Sequence, residues 1–290
     1  MGEISAYLLV ITSTVLFSLQ FIFQRRFNRS EGSDLYASLC FGFLSALVRI
    51  LLVLLLYGTV HTFTAFAVCL SFFSAAGIFL NVFFSAKAFR YADMSLYSMF
   101  TMLGGMLLPF VTGIAFYGEP LTFWRGACVV LVVCALLLGT GKSAGGDKRA
   151  IKYYLGVFVT NGLSGVFAKI NQASGAGVAS STYLMLGGMW SALICGTAVL
   201  IFMIRKKRRF LQKPLPALTS AALYGTLSAF GNLFLLLGLE VLPASVQYPL
   251  VTGGTMVLST AIAFFMHEKV TLRRVIAVLV ALAAVTLLCI

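Results

Sequence analysis

Two acidic residues stand in matching sequence contexts, Glu119 in FYGEPLTF and Glu268 in FMHEKVTL. Each follows an apolar segment and is followed three positions later by a threonine, Thr122 or Thr271. A carboxylate at such a position either accepts hydrogen bonds from the first N–H groups of the following helix or binds a coupling cation. We favour the first interpretation because both glutamates lie at segment ends. It predicts that they are structural caps of two tight helical hairpins.

Charged residues inside the apolar segments are rare. Arg49 lies well inside one of them with no acidic residue nearby, where a charge costs about 2.5–3.5 kcal/mol on insertion scales unless it faces protein or water. Two interpretations stay open: it binds an anionic group, or it reaches headgroups or backbone carbonyls. Lys87 and Lys169 lie close to segment ends, so their ammonium groups are expected to extend to the membrane surface.

Uncharged polar residues recur inside the apolar segments, where they either line a polar cavity or form hydrogen bonds between helices. With Arg49, the candidates for a substrate cavity are Gln20, Asn81, Tyr97, Asn161, Asn171, Asn232, Gln247 and Tyr248. Glycine pairs and internal prolines predict close helix approach or bending that gating would use. These residues are Gly104, Gly105, Pro109, Pro249, Gly253 and Gly254.

The elements that hold these residues are predicted from composition. Sixty per cent of the 290 residues are hydrophobic and ten per cent are charged, against about 25% charged residues in soluble domains. An all-α integral membrane protein with ten transmembrane helices is therefore predicted. The ten spans are 4–24, 35–57, 65–89, 94–117, 121–141, 153–173, 181–204, 217–239, 243–266 and 270–290.

Loop charge predicts the orientation of these spans. Seventeen of the 21 basic residues lie in or beside the loops that follow the odd-numbered spans. Because lysine and arginine near span ends are retained in the cytoplasm, both termini are expected outside the cell membrane. The basic segment 205–214 directly follows a span, so we interpret it as attracted to anionic lipid headgroups rather than to nucleic acid.

The two halves of the chain resemble each other. At an offset of 149 residues, the pair Gly104-Gly105 matches Gly253-Gly254 and Glu119 matches Glu268. Residues 1–145 and 146–290 are thus predicted to be five-helix repeats. An odd number of spans inverts the second repeat in the membrane, a plan typical of secondary transporters with a site between the repeats.

The segment from Arg90 to Gly141 resembles the repeat unit of the drug/metabolite transporter superfamily, EamA-like branch. The likeness lies in Arg90-Tyr91, Pro109, the turn Gly118-Glu119-x-Leu121-Thr122, Gly126 and Gly139, with looser matches in the second half. The resemblance implies a ten-helix basket that moves small solutes. Ten-helix members are commonly drawn with cytoplasmic termini, opposite to the orientation that the loop charges predict.

Transport is the function that these features favour. We expect a secondary transporter, a permease or exporter, of a small organic metabolite such as an amino acid or related carboxylate, working as a monomer or homodimer by alternating access. The alternatives are an efflux transporter of cationic drugs and a flippase for lipid-linked substrates. No catalytic residue set, metal cluster or cofactor motif is recognisable in the sequence, so neither an enzyme nor a nucleic-acid-binding protein is expected.

Overall fold

The structure is a computed structural model that describes residues 2–32, 34–58, 62–88, 94–140, 151–265 and 272–287. These residues form ten α-helices. The helices are α1 (Glu3–Glu31), α2 (Leu35–Tyr57), α3 (Ala65–Ala88), α4 (Met94–Tyr117), α5 (Phe123–Thr140), α6 (Ile151–Ala173), α7 (Ser180–Lys206), α8 (Pro214–Leu239), α9 (Ala244–Phe265) and α10 (Leu272–Thr286).

Six of these helices, in the described part of the chain, are long and apolar enough to cross a membrane: α1 to α4, α7 and α8. Large apolar side chains also cover the outside of the molecule, and Ile4, Phe116 and Phe123 are each about four-fifths exposed. An apolar exterior of this extent is unfavourable in water and favourable in lipid. The molecule therefore has the character of a multi-pass membrane protein.

The core lies between the two halves rather than within each of them. Helix α1 packs mainly against α8 and α9, while α3 and α4 pack against α6. Helix α2 packs against α7 and α8, and α5 packs against α10. Consecutive helices such as α1 and α2 touch only slightly, apart from α9 and α10, which pack against each other. Any site between the halves is consequently bounded by helices that are distant in sequence.

Glycines permit the closest of these approaches. A Cβ atom at Gly104 of α4 would overlap the carbonyl oxygen of Phe158 of α6, and one at Gly105 would lie 2.7 Å from the side-chain nitrogen of Asn161. At Gly254 of α9 a Cβ atom would lie 2.8 Å from a methyl group of Thr14 of α1. The predicted close helix approach is thus present at Gly104, Gly105 and Gly254.

Contacts between helix termini define two opposite ends of the bundle. At the first, here called the Glu119 end, the last residues of α4, α6 and α8 meet the first residues of α7 and α9. At the second, the basic end, the last residue of α1 and the residue before α2 contact the linker between α7 and α8. The two ends present different polar networks.

Candidate functional site

The first polar network is built on Glu119, in the turn between α4 and α5. Gly118 has a positive φ of 62°, a conformation that glycine adopts without strain, and the Glu119 N–H donates to the Gly113 carbonyl at 3.1 Å. This turn directs the Glu119 carboxylate at α9. Its two oxygens accept from the N–H groups of Ala244 at 2.9 Å and Ser245 at 2.8 Å.

The expectation that Glu119 caps α5 is therefore corrected, because the helix it caps is α9. The first turn of α5 uses Thr122 instead, whose hydroxyl accepts from the N–H of Arg125 at 3.3 Å. Sequence adjacency favoured α5, but the turn at Gly118 directs the carboxylate to a helix of the other half. Its predicted counterpart Glu268 lies outside the described residues.

Lys169 of α6 completes the arrangement. Its ammonium lies 2.7 Å from Oε1 of Glu119, and the two side chains are only 14% and 7% exposed. The same ammonium lies 5.7 Å from the centre of the Tyr117 ring, within the range of a cation–π interaction. Lys169 thus forms a buried ion pair, instead of extending to the membrane surface as its position near a helix end predicts.

The protonation of Glu119 follows from these partners. Burial alone would raise the pKa of this carboxyl, but the hydrogen bonds from Lys169, Ser245 and Ala244 outweigh it, so the pKa lies below its ordinary value. Glu119 is consequently ionised near neutral pH. The site is a carboxylate held between an ammonium and the N-terminus of a helix, which favours a structural closure over a proton carrier.

Helices α4, α6 and α9 meet directly beside this ion pair. The Tyr248 hydroxyl of α9 donates to the Gly165 carbonyl of α6 at 3.2 Å. A Cβ atom at Gly165 would lie 2.6 Å from the ring of Pro109. Pro109 lies inside α4 and Pro249 inside α9, and both are fully buried. A proline inside a helix removes one backbone hydrogen bond, so this junction joins two helices that bend readily.

Four of the nine predicted cavity residues donate a hydrogen bond to a backbone carbonyl of another helix. Asn81 donates to the Val157 carbonyl at 3.2 Å, and Asn161 donates to the Thr101 carbonyl at 2.7 Å. Gln247, fully buried, donates to the Leu235 carbonyl at 2.6 Å. Together with Tyr248, these residues connect helices to one another, which is one of the two roles that the sequence left open.

Two further candidates have local partners. Asn171 donates to the Val178 carbonyl at 2.9 Å and accepts from the Val178 N–H at 3.2 Å, which fixes the turn between α6 and α7. Asn232 donates to the Ser228 carbonyl of its own helix at 2.7 Å. The side chain of Tyr97 lies outside the described residues. Neither Asn171 nor Asn232 is brought to the ion pair.

Arg49, Gln20 and Gln247 each have a buried side-chain atom without a hydrogen-bond partner in the part of the chain that the structure describes. These atoms are Nε of Arg49 and Oε1 of Gln20 and Gln247. Arg49 lies near the middle of α2, where a Cβ atom at Gly188 of α7 would lie 3.6 Å from its Cδ atom. An unpaired buried guanidinium nitrogen is costly, so the Nε–H of Arg49 is a donor that a further polar partner would satisfy.

The structure also brings in residues that the sequence did not single out. Ser180, at the start of α7, donates to the Glu240 carboxylate at 2.5 Å. The Arg125 guanidinium donates to the Pro120 carbonyl at 2.8 Å and to the Ser245 hydroxyl at 3.2 Å. The only local signal was that these residues are charged or polar beside helix ends. Their partners lie up to 120 positions away in the chain.

Comparisons with known proteins add information on the fold alone. Neither a family model nor a curated protein matches the chain. A solved structure described only as a crystal structure of a protein is similar, with a TM-score of 0.75 and 15% sequence identity. The likeness covers 99% of this chain and 96% of that one. The arrangement of helices therefore occurs in another protein, and the function must be inferred from this site.

Proposed function

We propose that this protein is a secondary transporter, not an enzyme, and that its substrate is a small organic metabolite with a carboxylate or phosphate group, such as an amino acid. The observation that carries the proposal is Arg49, whose buried Nε has no partner in the described part of the chain. A cation in this position is expensive to keep unless it binds something. An anionic substrate group is the partner that this chemistry favours.

Alternating access between two inverted five-helix repeats, 1–145 and 146–290, is the proposed mechanism. Helix contacts that occur in symmetry-related pairs support it. The pairs are found when each helix of the first half (α1 to α5) is exchanged with its counterpart in the second half (α6 to α10). The contact of α1 with α8 has its counterpart in α6 with α3, and that of α1 with α9 in α6 with α4. Likewise, α2 with α8 corresponds to α7 with α3.

In this mechanism the Lys169–Glu119 ion pair closes the Glu119 end. It connects the α4–α5 turn of the first half to α6 and α9 of the second half. Opening this end requires the pair to separate, beside two helices that contain prolines. Since the basic residues concentrate at the opposite end, we place the basic end in the cytoplasm and the Glu119 end and both termini outside the cell membrane.

Ligand-dependent stability of the purified protein tests this proposal. The panel contains amino acids, dicarboxylates, sugar phosphates and lipophilic cations. A ligand at 100 times its Kd adds about 2.7 kcal/mol of stability. We expect stabilisation by one class of carboxylate or phosphate, lost in Arg49→Gln and retained in Arg205→Gln, which removes an exposed charge at the end of α7. Stabilisation by lipophilic cations alone, or equal responses of both variants, would contradict the proposal.

A further inference from the structure

The basic end contains a cavity whose lining includes neither Arg49 nor the Lys169–Glu119 ion pair. It has a volume of about 210 Å³ and lies where the end of α1, the start of α2 and the α7–α8 linker meet. Its lining includes Glu31, Tyr36, Cys40, Arg208, Arg209 and Gln212. Drug-sized ligands occupy pockets of roughly 300–1,000 Å³, so this cavity suits a smaller group.

Hydrogen bonds across the cavity hold its walls in place. The Tyr36 hydroxyl donates to the Arg209 carbonyl at 3.1 Å, and the Cys40 thiol donates to the Phe210 carbonyl at 3.4 Å. The Glu31 carboxylate accepts from the N–H groups of Gln212 at 2.8 Å and Lys213 at 2.7 Å. The α7–α8 linker is thereby fixed to α1 and α2, and the cavity exists before any ligand arrives.

The charged residues that line the cavity differ in whether their side chains already have hydrogen-bond or ion-pair partners. Both oxygens of Glu31 accept backbone N–H groups, and the Arg208 guanidinium is paired with Asp34 at 2.9 Å. Arg209, by contrast, is exposed, and its guanidinium forms no ion pair or hydrogen bond within the described ranges. Lys206 and Lys207 stand immediately before this pair of arginines. The cavity lining therefore includes an arginine whose guanidinium has no partner within the described ranges, in a basic surrounding.

We infer that this cavity binds the phosphate group of an anionic membrane lipid, with Arg209 as its main contact. Arginine presents paired N–H groups that match phosphate oxygens, and basic pockets between membrane helices suit anionic headgroups. The adjoining surface favours a lipid over a free phosphate. Ile204 at the end of α7 and Leu215 at the start of α8 are 70% and 75% exposed, which provides an apolar path for acyl chains.

This inference is independent of the proposed transport function and has its own test. The purified protein in a neutral detergent is titrated with a short-chain phosphatidylglycerol, a matched phosphatidylcholine and inorganic phosphate. Bound lipid is counted by native mass spectrometry, and the melting temperature is followed. We expect the phosphatidylglycerol to be retained and to raise the melting temperature, and both other ligands to leave it nearly unchanged.

Variants then locate the site. Arg209→Gln is expected to weaken phosphatidylglycerol binding about fivefold, the ratio that corresponds to about 1 kcal/mol for one basic residue at an anionic surface. The backbone carbonyl that Tyr36 uses remains in this variant, and Arg209→Lys should restore part of the affinity. Lys152→Gln is the matched control, because Lys152 is an exposed cation at the start of α6, on the same end but away from the cavity.

Three outcomes would overturn the inference. Equal losses in Arg209→Gln and Lys152→Gln would show attraction to surface charge without a site. Equal retention of phosphatidylcholine would show that the net charge of the lipid headgroup is irrelevant. Stabilisation by inorganic phosphate to the same extent as by the lipid would assign the cavity to a soluble anion.

Discussion

Glu119 and Glu31 perform the same task at opposite ends of the molecule. Each belongs to the first half, and each carboxylate accepts from two consecutive backbone N–H groups where a helix of the second half begins. Glu119 binds the start of α9 and Glu31 the start of α8. The difference lies in their surroundings: Glu119 is paired with the buried ammonium of Lys169, whereas Glu31 forms no ion pair among the described residues.

This difference shows that a buried carboxylate needs more stabilising partners than an exposed one. A carboxylate near water keeps part of its hydration, so two N–H donors are sufficient partners for Glu31. The Glu119 side chain is 7% exposed. The free energy lost when its charge leaves water exceeds the free energy gained from hydrogen bonds to two neutral donors. The ammonium of Lys169 supplies the missing stabilisation. Glu119, just after the end of α4, therefore caps α9 and also connects α4 and α9 to α6.

Removing the buried ammonium should have the largest effect. In Lys169→Met the Glu119 carboxylate remains buried without its cation, which is expected to cost about 3–5 kcal/mol of unfolding free energy. Thermal and denaturant unfolding in detergent measure this change. The control Lys152→Met removes an exposed lysine of the same helix and should change stability by less than about 1 kcal/mol.

The double variant Lys169→Met with Glu119→Gln sharpens the interpretation. Since it removes both charges, it should be more stable than Lys169→Met alone. Additive losses from the two substitutions would show that the ammonium and the carboxylate do not interact.

The close approach of α4 and α6 determines whether Lys169 reaches Glu119. In Gly104→Ala the added methyl would overlap the Phe158 carbonyl, so the two helices must separate, and we expect a loss of about 1–3 kcal/mol. Gly187→Ala in α7 is the matched control. No atom lies within 4 Å of its added methyl, and it should stabilise the helix by about 0.5–1 kcal/mol. Similar losses in both variants would show that the loss in Gly104→Ala does not come from the overlap with the Phe158 carbonyl.

The simpler cap should be less sensitive. Glu31→Ala removes two hydrogen bonds to the start of α8 but leaves no buried charge, so a loss of about 1 kcal/mol is expected in the same unfolding measurements. Glu3→Ala, which removes an acidic residue from the start of α1, should cost only a few tenths. A loss with Glu31→Ala as large as that with Lys169→Met would erase the distinction between the two ends.

Acid should have the smallest effect, through protonation of the Glu119 carboxylate. The pKa of Glu119 lies below its ordinary value of about 4.3, so its stabilising contribution is complete above pH 4.3 and is lost as the pH falls through the lowered folded-state value. The stability difference between the wild-type protein and Glu119→Gln should therefore be constant from pH 7 to pH 5 and shrink below pH 4. A difference that grows on acidification would contradict this direction.

The sequence predicted where the helices lie in the chain, but it did not predict which helices pack against one another. Helix α2 occupies 35–57 as predicted, because apolar length and flanking polar residues determine both ends locally. The first predicted span, 4–24, is shorter than the helix that contains it, since α1 continues past Arg25 and Arg26 to Glu31. A helix outside lipid still satisfies its own backbone, so charges that follow an apolar segment do not determine where the helix ends.

The candidate site was predicted only in part, for a physical reason. The position of Glu119 at a segment end predicted that it caps a helix. The local sequence identifies the capped helix only when that helix follows directly in the chain, and here it does not. Lys169 lies near a helix end, where extension to the surface was the local expectation, and only tertiary packing places a buried carboxylate beside it. The role of Arg49 remains a prediction, which its unpaired Nε supports.

Gly118 limits how this molecule can vary. Its positive φ sets the direction of the next side chain, so most replacements would turn the Glu119 carboxylate away while leaving the glutamate itself in place. The consequence would appear at Ser245, 126 positions further along the chain, where α9 would lose its cap. In a mutational scan, substitutions at Gly118 should therefore cause the same defect as substitutions at Glu119. A survey restricted to charged positions would find Glu119 and miss Gly118.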